Sequence, residues 1–449
     1  MELLDYIWPW LAVWIAWIWV AIWQWILIKR ALQVMWKSPS MSTFYLTVAI
    51  LWFALLESAV IYWLVVAFQL LSAEALPLLS SIWAGLAIWL TWAGAWIWEW
   101  LLVSWALSAI DRNPRLKAKI MTFMVLFVAL IEVSAIYWLI VAFRIMWDVD
   151  LSVTHLWAGL AIWFAWAWVA IWRWYLSQKA LEVMSITPNM MNYFLIVSIL
   201  WIALVEAAAI YWLVVSFQLL GATDLWFYAA TGAWLAIWLA GAWAGWWKWQ
   251  LVVWALSSIN RNPEIKNKIM TFMVLFVALV EVTAIYWLII AFRIMWDWAG
   301  GADTALFVWA GLAIWLAWFW VGLWRWYMSD KALEVMWKNP KLISFFLTAS
   351  ILAVALIESA AIYALVVSFQ ILWAESLAVH LWLWAGLAIW LTGLWVWIWQ
   401  WVMIRWAFDW MNSFSDLKTK LMAFMVLFVA LIEVIAIYWL IVAFRLLAM

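Results

Sequence analysis

The sequence predicts an all-α integral membrane fold of six tandem transmembrane helical hairpins, with twelve helices in all. Apolar residues make up 73% of the 449 residues and charged residues only 10%, which is more apolar surface than one water-soluble core can bury. Apolar runs of about 25 residues, each long enough to cross a hydrocarbon core of about 30 Å, follow one another from Ile7 to the C-terminus. The third supporting feature is an internal repeat.

The apolar runs are too long to be strands of a membrane barrel, so helices are the spanning structure that satisfies the backbone in lipid. The N-terminal residues MELLDY lack the positive region and cleavage site of a signal peptide, and we expect the first run to be a true span. The chain has no cysteine, and His155 and His380 have no second ligand at metal spacing. We therefore expect no disulfide, no metal centre and no cofactor.

The repeat is clearest in six copies of a segment such as LIEVSAIYWLIVAF, in which tyrosine follows glutamate by five residues. The spacings between successive glutamates are 75, 74, 75, 77 and 75 residues, in the order Glu57, Glu132, Glu206, Glu281, Glu358 and Glu433. The tyrosines are Tyr62, Tyr137, Tyr211, Tyr286, Tyr363 and Tyr438. Each repeat is therefore one hairpin, and the predicted hairpins 1 to 6 are residues 1–73, 74–148, 149–222, 223–297, 298–374 and 375–449.

A second polar position precedes every glutamate by 33 residues, on the first helix of each hairpin. Its occupants are Gln24, Glu99, Arg173, Lys248, Arg325 and Gln400. Because the turn lies halfway between the two positions, we expect both side chains of a hairpin to face each other near the membrane centre. The turns alternate between two types, so the larger unit is a pair of hairpins repeated three times.

Lysine and arginine are concentrated near the turns, whereas the opposite side carries only Arg144, Arg293 and Arg445. The positive-inside rule places the turns in the cytoplasm and both termini outside.

The chain resembles six fused copies of the c subunit, the rotor proteolipid of F-type ATP synthases. In that family a glycine-rich first helix ends in a Gly-x-Gly-Gln-Gly segment, the cytoplasmic turn reads Arg-Asn/Gln-Pro, and the second helix carries one ion-binding carboxylate. The turn motif is matched in the second and fourth hairpins, at Arg112, Asn113, Pro114 and at Arg261, Asn262, Pro263. Fused hairpins also occur in the related V-type proteolipids, but these turns favour the F-type.

The resemblance implies a ring-forming rotor subunit of the inner (plasma) membrane that is not an enzyme on its own. Each glutamate would take up a proton from one half-channel of the stator a subunit, cross the lipid as a neutral group, and release the proton at the other half-channel. The two Arg-Asn-Pro turns would dock the central-stalk subunits. Lipid is the other expected partner, and nothing indicates nucleic acid. Gln24, Glu99, Gln400, Ser58 and the six tyrosines would support the ion sites.

Protons are the expected ion, because the sodium ligands of this family are nearly absent. They are the first-helix glutamine, the glutamate and a serine directly after it. Only the first hairpin has all three, as Gln24, Glu57 and Ser58, and Na⁺ is the alternative there. Ser359 follows Glu358, but the first helix of that hairpin offers Arg325.

Arg173, Lys248 and Arg325 depart from the family pattern. Each would hold the facing glutamate ionised and silence the site, or would extend along the helix towards the turn and leave the glutamate free. In the second hairpin, Glu99 and Glu132 are expected to share one proton.

The chain has 56 tryptophans but only 13 glycines, and the two residue types trade places at equivalent first-helix positions. Because some bacteria read the codon UGA as glycine, we interpret most of these tryptophans as glycines translated with the wrong table. UGG codons at Trp92, Trp96, Trp98 and Trp100 would contradict this. The alternative is an engineered, Trp-rich helical bundle without rotary function.

Overall fold

A computed structural model describes residues 22, 24–72, 99–147, 153–222, 227–297, 306–373 and 379–448. These residues are almost entirely helical and contain no strand. The helices are α1 (24–37), α2 (Ser42–Ser72), α3 (99–112), α4 (Lys117–Trp147), α5 (Val153–Ile186), α6 (Met191–Gly221), α7 (Phe227–Arg261), α8 (Lys266–Asp297), α9 (Leu306–Lys338), α10 (Ile343–Trp373), α11 (Val379–Ser413) and α12 (Lys418–Leu447). The helical class is confirmed for this part of the chain. The count of twelve helices and the hairpin boundaries stay predictions, because much of the first two hairpins lies outside the described residues.

Four helical segments of the described part are long and apolar enough to cross a membrane. They are Pro188–Gly221, Pro263–Trp296, Pro340–Trp373 and Ser415–Leu447. Each comprises the turn and second helix of one predicted hairpin, and each carries one of the glutamates Glu206, Glu281, Glu358 and Glu433. Their length and composition support a membrane location.

A single 3₁₀ turn joins the two helices of each hairpin. The turns are Pro39–Met41, Pro114–Leu116, Pro188–Met190, Pro263–Ile265, Pro340–Leu342 and Ser415–Leu417. Five begin with proline, which lacks the N–H that a helix start leaves unbonded and keeps the preceding residue out of the α region. The sixth turn forms without proline, so the loss of the Arg-Asn-Pro motif there does not abolish the turn.

The chain divides into two compact units, Met1–Asp224 and Leu225–Met449. In the second unit α7 packs on α9 and α9 on α11, while α8 packs on α10 and α10 on α12. First helices therefore contact first helices, and glutamate-bearing helices contact one another. In the first unit α4 packs on both α5 and α6.

The first helices α7 and α9 approach closely through glycine. A Cβ added at Gly311 would lie 2.6 Å from the carbonyl oxygen of Gly232, and a Cβ at Gly232 would collide with the backbone of Phe307. Only a residue without a side chain fits such a backbone contact. This is the close packing of first helices that small residues permit.

Candidate functional site

The polar residues of the first helices are buried at the level of the glutamates. Glu99, Arg173, Lys248, Arg325 and Gln400 are each at most 2% exposed. Gln24 is half-buried, as are the described glutamates of the second helices, Glu132, Glu206, Glu281, Glu358 and Glu433. The predicted support residues Tyr137, Tyr211, Tyr286 and Tyr363 are half-buried too, whereas Tyr438 is exposed. The side chains of Glu57, Ser58 and Tyr62 lie outside the described part, so the predicted Na⁺ ligand set of the first hairpin stays a prediction.

Three hairpins contain an ion pair between their two central residues. Arg173 Nη2 lies 2.8 Å from Glu206 Oε2, and Arg325 Nη2 lies 3.1 Å from Glu358 Oε1. Lys248 Nζ donates to Glu281 Oε2. The structure thus brings together the residues that the 33-residue spacing pairs. The cationic groups bind the glutamates rather than extending towards the turns.

Both arginines also contact the preceding hairpin. Arg325 Nη1 donates to the carbonyl oxygen of Leu279 at 2.7 Å, and Arg173 Nη1 donates to that of Leu130. Each carbonyl belongs to a residue two positions before the glutamate of its own hairpin, Glu281 or Glu132. The guanidinium therefore lies between two glutamate-bearing helices. Nothing in the spacing within one hairpin signals this contact.

The sixth glutamate has a different environment. The hydroxyls of Ser359 and Tyr363 both contact Glu433 Oε1, with Tyr363 Oη donating at 3.1 Å. Ser359 Oγ also lies 2.7 Å from the carbonyl oxygen of Leu356, so its single proton can be donated to either acceptor. On the first-helix side the buried amide of Gln400 donates to the carbonyl oxygen of Val429 at 3.4 Å.

Ser359 and Tyr363 lie on α10 of the fifth hairpin, whereas Glu433 lies on α12 of the sixth. Ser359 therefore contacts Glu433 of the next hairpin, and the expectation from sequence that it belongs with Glu358 and Arg325 of its own hairpin is wrong. Ser359 and Tyr363 face the adjacent glutamate helix α12, because α10 and α12 pack side by side. The site of Glu433 is therefore built from two hairpins.

These two kinds of partner allow different chemistry. A hydroxyl both donates and accepts, so Ser359 and Tyr363 can bond Glu433 as a carboxylate or as a protonated acid. Arg325 and Lys248 only donate, and they favour the ionised glutamate. Among the described residues, Glu433 has the surroundings of a group that can change its protonation state in place.

In the second hairpin a carboxyl takes the place of the cation. Glu99 is buried, its Oε1 has no hydrogen-bond partner within the described residues, and it lies close enough to Glu132 for their charges to interact. Two carboxylates in such a position disfavour double ionisation. The expectation that the pair shares one proton stays a prediction.

The predicted docking turns are accessible. Arg112, Pro114, Arg261 and Pro263 are exposed, and Asn113 and Asn262 are partly so. The described residues contain no cluster of histidine, cysteine, aspartate or glutamate that could hold a metal ion.

Apolar helical hairpins with a central carboxyl on the second helix, opposed by a buried polar residue on the first, define a membrane proteolipid with carboxylate sites. The family model of the ATP synthase c subunit matches residues 82–145, 231–294 and 308–371, which fall in the second, fourth and fifth hairpins. Over these three segments the chain matches the family of ATP synthase c subunits, which are non-catalytic membrane proteins, and the resemblance predicted from the sequence is confirmed. Their succession in one chain is consistent with fused repeats of that subunit. No curated protein and no solved structure matches the chain.

Proposed function

We propose that the chain builds the ion-translocating rotor ring of an F-type ATP synthase and carries protons on its central glutamates. The observation that carries this proposal is the site of Glu433, where neutral hydroxyls of the neighbouring helix surround one carboxyl in the middle of an apolar helix. An ionised carboxylate is costly at the centre of a bilayer, so the group crosses lipid in its neutral form. The hydroxyls of Ser359 and Tyr363 accommodate that form.

The proton would be exchanged at a partner subunit. A stator protein with aqueous half-channels and an arginine loads the glutamate on one side of the membrane and discharges it on the other. The exposed turns at Arg112 and Arg261 would dock the central stalk in the cytoplasm, and both termini would lie outside. The ATP chemistry then belongs to the partner subunits.

Ring closure is supported by the outer surface of the last hairpin. In an apolar stretch of 18 residues, 22% of the residues are buried in the segment that contains α12, against 38–41% in those that contain α6, α8 and α10. The exposed side chains in the central part of α12 are apolar and include Leu427, Leu431 and Ile441. A further hairpin packed there would give α12 the coverage of its equivalents. Six hairpins alone would make a very tight ring, so we propose a homodimer of twelve hairpins. Native mass spectrometry of the gently extracted complex tests the number of chains, and a persistent monomer would contradict it.

Sodium is the second candidate ion, and the described residues offer a ligand set for it at the sixth hairpin. Gln400, Glu433 and Ser359 supply there the three residue types that the sodium sites of the family use, although Ser359 comes from the adjacent hairpin. If Na⁺ is carried, it will protect Glu433 from dicyclohexylcarbodiimide, a reagent that attacks protonated carboxyls. If H⁺ is carried, Na⁺ will have no such effect.

The test of the rotor function is ATP-driven proton uptake by vesicles that contain the complete ATP synthase complex. We expect uptake in the wild type and a severalfold loss in Glu433→Gln, because glutamine cannot release a proton. Glu182→Gln is the matched control, since Glu182 pairs with Lys179 towards the turn, away from the central sites. If the wild-type chain assembles with its partners in the vesicles but neither H⁺ nor Na⁺ is transported, the result would instead favour a static helical bundle.

A further inference from the structure

We infer that Arg173, Lys248 and Arg325 are resident cations that occupy three of the six ion sites, so that Glu206, Glu281 and Glu358 do not exchange ions. The consequence for ion transport rests on the proposed rotor function. The three ion pairs are observed independently of that function. It divides one chain into hairpins that carry ions and hairpins that do not.

The first step of the argument is burial. The cationic side chains are 0% exposed at Arg173 and Lys248 and 1% at Arg325, while their glutamates are about one-fifth exposed. A buried cation that loses its counter-ion is left uncompensated in a medium of low dielectric. Each glutamate is therefore held in its ionised, paired form.

The second step is the position of the cationic group. Each guanidinium bridges the glutamate of its own hairpin and a backbone carbonyl of the preceding glutamate helix, as seen for Arg325 with Glu358 and Leu279. At the sixth site the corresponding neighbouring helix contributes Ser359 and Tyr363 directly to Glu433. The arginine thus lies between the two helices that together form a site. An ion bound from solution would need the oxygen atoms of Glu358 and Leu279 that Arg325 already contacts.

The third step is tethering. A transported ion leaves its glutamate by diffusion, whereas a guanidinium or ammonium group stays attached to its helix. The pair of Lys248 and Glu281 is neutral as a whole, and such a pair can cross the lipid without loading an ion. Hairpins 3, 4 and 5 would then move past the stator as a passive sector.

The consequence is a lower ion load. Six hairpins carry six glutamates, but only Glu57, Glu132 and Glu433 lack a cationic residue 33 positions earlier. One chain would carry three ions per revolution, half the number of its hairpins. In a closed ring the sixth hairpin is followed by a first hairpin. The ion-carrying hairpins 6, 1 and 2 would therefore be neighbours, just as the passive hairpins 3, 4 and 5 are.

Labelling with dicyclohexylcarbodiimide tests the inference at each glutamate. The complex in its native membrane is labelled at neutral pH, and the modified peptides are quantified by mass spectrometry. We expect Glu206, Glu281 and Glu358 to react at least about tenfold more slowly than Glu433, since about 1.4 kcal/mol of preference for the ionised form suffices for that factor.

Two reciprocal variants and one control variant sharpen the comparison. Arg325→Gln recreates the residue that the sixth hairpin already accommodates at Gln400, and it should bring Glu358 to the labelling rate of Glu433. Arg325→Lys keeps a cation and should leave Glu358 slow. Gln400→Arg should protect Glu433.

Equal labelling of Glu206, Glu281, Glu358 and Glu433 in the wild type would overturn the inference, as would an Arg325→Gln variant in which Glu358 stays slow. Proton uptake in vesicles separates this result from the proposed function. The labelling contrast without any uptake would refute the rotor and leave the resident cations in place. Equal labelling with intact uptake would overturn the resident cations alone.

Discussion

Glu358 and Glu433 lie on the adjacent helices α10 and α12, in nearly identical segments that read ALIESAAIY and ALIEVIAIY. Their surroundings nevertheless differ. Glu358 pairs with the buried Arg325, whereas Glu433 is bonded by hydroxyl groups of Ser359 and Tyr363. The residue 33 positions earlier, on another helix, also differs: it is Arg325 for Glu358 and Gln400 for Glu433. The local sequence around a carboxyl is therefore a poor guide to its chemistry.

The comparison also separates two uses of one scaffold. A partner that only donates fixes the charge of the glutamate, and a partner that donates and accepts leaves the proton free to come and go. Both kinds of partner occupy the same layer between glutamate helices. We expect replacement of the buried Gln400 by arginine or lysine to turn the site of Glu433 into an ion pair.

The largest expected effect concerns stability. Glu358→Gln leaves the buried Arg325 without a counter-ion, and we expect it to lower the free energy of unfolding by about 3–5 kcal/mol. Glu433→Gln replaces one neutral hydrogen-bonded acid by an amide of similar shape, and its expected cost is about 0.5–1.5 kcal/mol. Equilibrium unfolding in mixed detergent micelles measures both.

The double variant Arg325→Gln with Glu358→Gln is the control for this difference. It removes both charges together and should recover most of the stability lost in Glu358→Gln. If the two single glutamate variants are equally stable, the two sites do not differ in the way proposed.

A smaller effect tests whether sites are shared between hairpins. Ser359→Ala removes a hydroxyl worth about 0.5–1.5 kcal/mol, which corresponds to a severalfold change in reactivity. We expect the rate of carbodiimide labelling at Glu433 to change severalfold, because its carboxyl loses a hydrogen-bond partner, and we expect no change at Glu358, the direct sequence neighbour of Ser359. A change at Glu358 alone would restore the grouping by hairpin.

The helical class, the turns and the facing pairs of hairpins 3, 4 and 5 follow from periodicity and spacing. Apolar runs of constant length predict membrane helices, and proline predicts where five of the second helices begin. The constant offset between Arg173 and Glu206, repeated in every hairpin, predicts that the two residues meet at one depth. Such inferences work because both partners belong to one hairpin with a short turn.

The contacts between hairpins could not be predicted in the same way. The partners of Glu433 on α10 lie 70 and 74 residues earlier, and only the packing of α10 against α12 brings them together. The carbonyl groups of Leu130 and Leu279 carry no side-chain signal at all. The repeat could have indicated them only if the packing order of the helices had been known.

Tryptophans flank the central polar residues of several first helices. Trp172 and Trp174 flank Arg173, where the family has glycine on both sides of its central polar residue. The buried indole N–H groups of Trp172 and Trp326, each next to a central arginine, have no hydrogen-bond partner among the described residues, and each unsatisfied donor costs about 1–3 kcal/mol. This cost is compatible with the interpretation that many tryptophans stand at glycine codons.

Infrared spectroscopy of the purified ring in lipid at neutral pH tests the central difference most directly, because protonated and ionised carboxyls absorb in separate regions. We predict that Glu433→Gln removes intensity from the carboxylic acid band. Glu206→Gln, Glu281→Gln and Glu358→Gln should each leave that band unchanged and remove carboxylate intensity instead. Loss of the carboxylic acid signal in any of these three variants, to the extent seen in Glu433→Gln, would contradict the assignment of resident cations.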